Sequence, residues 1–133
     1  MEQVNKLIYY MASNSVKNIW YYAFDMVLNV HLDTSHMTPI KTSIRASIFF
    51  LGSLPVDGCP SKLNGAILTL CTILMYVAVS AAKAELGALL LNAMEANILR
   101  LTFIKIGHPQ PTTPIHADNT TAVGNVNNTI KRQ

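Results

Sequence analysis

The chain has 133 residues, half of them hydrophobic and only 13% charged, which excludes a disordered linker and fits one compact domain better than two. A net charge of +3 permits a polyanionic partner without requiring one. Cys59 and Cys71 make no CxxC and no metal-ligand spacing, so they read as reduced intracellular thiols rather than a disulfide framework.

In chain order, residues 2–13 carry Val4, Leu7, Ile8 and Met11 at helical spacing. Residues 19–24, IWYYAF, form a β-favouring run. VLNVHLD then alternates: Leu28, Val30 and Leu32 share one face, and Asn29, His31 and Asp33 the other. A turn region at 34–42 leads to a second strand at 44–51, and a Gly/Pro-rich loop at 52–65 to a third strand expected over 66–79. Ser80 is placed to cap a long helix reaching Ile106, apolar around so much of its circumference that burial is expected. Gly107, Pro109 and Pro111 end it. A short strand at 114–117 and a last helix from about Asp118 toward Ile130 complete an order that points to a mixed α/β sheet.

The longest uncharged run, residues 65–82, is long enough for a membrane span. Its Thr69, Thr72 and Ser80, its β-branched content and its weakly basic flanks favour a buried strand feeding a buried helix instead. The N-terminus lacks the basic start, apolar centre and cleavage site of a secretory signal, so an intracellular, non-secreted protein is expected and Asn119-Thr-Thr121 and Asn127-Asn-Thr129 are read as chance glycosylation matches.

Among seven carboxylates, three stand in unusual places: Asp33 and Asp118 end strands, and Glu85 sits early in an apolar helix, where a charge is expensive. Carboxylates converging from strand ends and a helix repel unless a cation neutralises them, and oxygen-only ligands suit Mg²⁺. Turn formation by the aspartates and a helix-dipole contact by Glu85 are the plainer explanation. His31-Leu-Asp33 and His116-Ala-Asp118 repeat a His beside an Asp on one strand face, which leaves a zinc site open. No G-x-S-x-G, Walker-type or G-x-G-x-x-G motif occurs.

Three longer stretches carry a resemblance. DMVLNVHLDTSHMT resembles the S-D-M-x-L-x-x-H-S-D-A-S-Y opening of the ribonuclease H-like region of copia-type retrotransposon polyproteins. SAAKAELGALLLNAMEANILR resembles that family's S-S-A-E-A-E-L-G-A-L helix, and GHPQPTTPIHADNTTAVG its G-H-P-Q-P-P-T-P-I-x-x-D-N-x-T-A-x-G segment. Residues 1–24 look like the connection from an upstream reverse transcriptase, and 25–133 like a partial ribonuclease H-like domain.

The resemblance implies a mixed sheet whose first three strands are antiparallel, with flanking helices, incomplete at the C-terminus. It implies hydrolysis of the RNA strand of an RNA·DNA hybrid, with Asp33, Glu85 and Asp118 as the catalytic carboxylates holding two Mg²⁺ ions, or Mn²⁺ in their place. The parent polyprotein's reverse transcriptase is the implied partner. The sequence departs from the family at Leu32, where a small polar residue is usual, at His36, where an aromatic is usual, and at Lys83, where an acidic residue is usual. It also stops before the family's last strand and the helix bearing a fourth acidic ligand, so a fragment or decayed copy with weak or no hydrolysis is expected. The competing readings are a small protein spanning a membrane once near 65–82 and a non-catalytic nucleic-acid-binding remnant.

Overall fold

The computed structural model describes residues 2–36, 42–56, 59–76, 78–119, 123–124 and 126–127. The elements run α1 (Glu2–Ser13), β1 (Val27–Ser35), β2 (Ile44–Gly52), β3 (Ala66–Ile73), α2 (Ala81–Lys105) and β4 (Ile115–Ala117). They form a mixed α/β fold with a four-stranded sheet in the order β3-β2-β1-β4. The first three strands are antiparallel neighbours, whereas β4 lies parallel to β1, so α2 is the crossover that returns the chain to the far side of β1.

The alternation of β1 decides which way the sheet faces. Leu28, Val30 and Leu32 are buried; Leu28 and Val30 join Phe49 of β2 and Ala96 of α2 in the core, with Leu99, Phe103 and Ile115 packed around them. Asn29, His31 and Asp33 point from the opposite face. A register shift between Phe49 and Phe50 lets two successive phenylalanines both be fully buried, Phe49 paired with Val30 and Phe50 set against the His31 ring.

Polar anchors fix the helix and its return loop. The Ser80 hydroxyl accepts a bond from the Lys83 amide at 3.2 Å and caps α2. At the other end Gly107 takes φ +90°, which favours glycine. Asn92 is fully buried in mid-helix, where Ser47 Oγ donates to its Oδ1 at 2.8 Å. Gln110 plugs the return loop: its Oε1 accepts from the Leu28 amide and its Nε2 donates to the Met26 carbonyl, both at 2.9 Å.

As expected, residues 65–82 begin as a strand and not a spanning helix: β3 occupies Ala66–Ile73 and pairs with β2. Other expectations need correction. None of the β3 residues is buried, although a buried strand is expected there. The third strand ends before 79, because at Leu74 the chain leaves the sheet and buries Leu74 and Ala78 against Ala84 in a second small cluster. Residues 19–24 form no strand; Asn64 clamps the Tyr22 backbone from outside the sheet instead, accepting from its amide at 2.8 Å and donating to its carbonyl at 3.1 Å. α2 is not largely buried, since the sheet covers one side and leaves Leu90, Met94 and Ile98 exposed. α1 buries none of its residues. The expected last helix lies mostly outside the described residues. Cys59 and Cys71 are both free and exposed.

Candidate active site

The three carboxylates come from elements that meet at one end of the sheet. β1 and β4 are parallel, with His31 paired to His116 and Leu32 to Ala117, so Asp33 and Asp118 follow one step further along neighbouring strands. The C-terminal end of adjacent parallel strands is where α/β proteins commonly hold ligands. α2 brings Glu85 to the same end from its second turn.

The environments of the three differ sharply. Asp33 and Asp118 are exposed, whereas Glu85 is 3% exposed, and its Oε1 has no hydrogen-bond partner among the described residues. The Asp33 carboxylate accepts from the Thr34 amide at 2.7 Å. Burial pushes the Glu85 carboxyl above its ordinary range; the Thr34 hydroxyl opposes this, and the charges of Asp118 and then Asp33 add smaller upward pushes. That hydroxyl is close enough to favour the charged carboxylate but short of full hydrogen-bond geometry, since Thr34 Oγ1 is itself buried without a partner. Glu85 is therefore a buried acid whose ionisation two like charges oppose, with Oε1 unpartnered among the described residues.

The three side chains are not drawn together as a ligand set; among the described residues no group of three or more His, Cys, Asp or Glu is arranged to hold one metal ion. The donor chemistry nonetheless fits a hard divalent cation. A buried carboxylate oxygen with no partner among the described residues, its charge opposed by two aspartates, would be relieved by a cation, and all the donors are oxygens. Asp33 and Asp118 also line an open groove of about 470 Å³ with His31, Ser47 and His116, and Glu85 is not part of that lining.

Thr34, which touches the crucial glutamate, and Gln110, which ties the loop before β4 to the start of β1, are not apparent from sequence spacing. Asn92 is, being an amide inside an apolar helical stretch. Of the two His-x-Asp repeats, the structure pairs the histidines directly, with ring centroids 4.8 Å apart. Burial, and secondarily His116, holds the His31 imidazole below its ordinary pKa. No family model, curated protein or solved structure matches the chain.

Proposed function

We propose that the chain is the ribonuclease H-like part of a copia-type retrotransposon polyprotein, built to hold Mg²⁺ through Asp33, Glu85 and Asp118 at the end of an RNA·DNA hybrid groove. The observation that carries this reading is Glu85: a nearly fully buried carboxylate, unpartnered at Oε1, under the influence of both aspartates. A helix that needed only apolar packing would gain stability from an alanine or leucine there. The strand order, with three antiparallel strands and β4 parallel to β1, agrees with the architecture the resemblance implies.

In this reading a bound divalent ion supplies an activated water and neutralises charge on the scissile phosphate. The protein's own groups do the positioning. Asp33 is oriented by the Thr34 amide, Glu85 is held rigid by the packed start of α2, and Asp118 is set by the β1–β4 register. The mild positive charge gives weak, salt-sensitive affinity for the hybrid. Hydrolysis is expected to be weak, because among the described residues the three carboxylates are not drawn together as a ligand set.

The test is calorimetric titration of the full chain with Mg²⁺ and Mn²⁺, alongside cleavage of a labelled RNA·DNA hybrid, using Asp33→Asn as the control. Saturable divalent binding that the substitution weakens at least tenfold, with any cleavage lost in parallel, is the expected result. Binding of equal strength in Asp33→Asn, or none in the unaltered chain, overturns the reading.

A further inference from the structure

The chain has four histidines, and they fall into two kinds. His36 is engaged through Nδ1 with Ser43 Oγ at 3.2 Å, and His108 through Nε2 with the Met26 carbonyl at 3.1 Å. His31 and His116 have no hydrogen-bond partner among the described residues. They face each other across the parallel β1–β4 pair as direct register partners, with ring centroids 4.8 Å apart and planes inclined by 51°.

That separation matches the spacing of neighbouring strands, so the two imidazoles stand side by side on the open face of the sheet. Phe50, fully buried, supports His31 by an edge contact at 5.2 Å. Both histidines border the groove that holds Asp33 and Asp118, and a second, smaller cavity of about 130 Å³ on the side of Cys59 and Ser61.

We propose that His31 and His116 form a two-imidazole site for a borderline divalent transition-metal ion, distinct from the carboxylate site and selective for Cu²⁺ over Zn²⁺. Metal–imidazole bonds of roughly 2.0–2.1 Å place two nitrogens on one ion about 3 Å apart, within reach of rings at this separation after a modest inward tilt. Among the described residues no hydrogen bond to either ring must be broken first. Neutral imidazole is a ligand for copper, nickel and zinc and a poor one for Mg²⁺, and the affinity order places Cu²⁺ highest. Among the described residues no third His, Cys, Asp or Glu joins the pair as a ligand, so the remaining positions belong to water. The site is thus of moderate affinity and open to exchange. An ion held there stands on the same sheet face as Asp33 and Asp118, two residues further along each strand.

The test is titration of the full chain with Cu²⁺, Zn²⁺ and Mg²⁺, read by calorimetry and, for Cu²⁺, by electron paramagnetic resonance. One Cu²⁺ per chain is expected, with nitrogen hyperfine structure from two imidazoles. Zn²⁺ should bind more weakly, and excess Mg²⁺ should not displace the copper. His116→Gln, at an exposed position, is expected to weaken Cu²⁺ at least tenfold and leave a one-nitrogen pattern. His31→Gln should do the same, and His36→Gln should change neither readout. Glu85→Gln should leave copper binding intact, which separates this site from the carboxylate site. A single-nitrogen spectrum from the unaltered chain, or unchanged Cu²⁺ affinity in His116→Gln with its circular dichroism preserved, overturns the proposal.

Discussion

Replacing Glu85 by Gln tests whether the buried carboxylate is a functional charge held at the expense of stability. Glutamine keeps the shape and removes the charge. A buried polar atom without a partner costs about 1–3 kcal/mol, and more when charged, so Glu85→Gln is expected to gain about 1–3 kcal/mol at neutral pH without divalent ions. For a domain of this size that is a rise in Tm of roughly 4–12 °C.

The pH dependence has a definite sign. The unfolded carboxyl titrates near its ordinary value of 4.5, and the folded one above it. Below the unfolded value both states are protonated and the penalty vanishes. As pH rises from there through the raised folded value, the unfolded state releases its proton first and the fold loses stability, to a constant deficit above. The advantage of Glu85→Gln should therefore be small near pH 4, grow through that window and level off. Mg²⁺ should narrow the gap by stabilising only the unaltered chain; at ten times the dissociation constant the gain is about 1.4 kcal/mol. Thermal melts from pH 4 to 8, with and without Mg²⁺, decide the matter. A variant destabilised at neutral pH, or a difference flat across the range, would refute the argument.

Two further outcomes follow from the anchors of the fold. Gln110→Ala leaves the buried Leu28 amide without its acceptor and should lower stability by about 1–3 kcal/mol in urea unfolding, with an unchanged slope. Ser80→Ala removes the α2 cap and should cost about 1 kcal/mol in the same measurement, whereas Ser80→Asp should retain most of it.

What was legible in the sequence had a local cause. The alternation of Leu28, Val30 and Leu32 marked the core face of β1, and Ser80 and Gly107 marked the ends of α2 by their capping chemistry. Glu85 stood out as a charge in an apolar helix, and Asp33 and Asp118 as acids at strand ends. Apolar character by itself indicates neither regular structure nor burial in this chain. Leu74 and Ala78 are buried against Ala84, outside β3. The aromatic run at 19–24 has β propensity but finds no sheet edge, and is tethered through Asn64 instead. Thr34 beside Glu85, and Gln110 joined to Leu28 across 82 positions of sequence, depend on tertiary placement that no local pattern carries.

α2 raises the one question that composition alone leaves open, because it is the described helix long and apolar enough to cross a membrane. Its neighbours answer differently. Ala84, Ala88 and Ala96 are buried, and Ala96 packs in the β1–β2 core, where small side chains let the helix approach closely. Asn92 is committed to Ser47, and Arg100 donates to the carbonyls of Pro111 at 2.9 Å and Gln110 at 3.2 Å. Insertion would break each of these and immerse Glu95 and Arg100. A charged residue near the bilayer centre costs roughly 2.5–3.5 kcal/mol by insertion scales, and exposure of Leu90, Met94 and Ile98 to lipid must outweigh that together with the lost sheet packing. The full chain is therefore expected to stay at the bottom of a liposome flotation gradient with its β-sheet circular dichroism intact. Flotation accompanied by loss of that signal would show that α2 prefers lipid to the sheet.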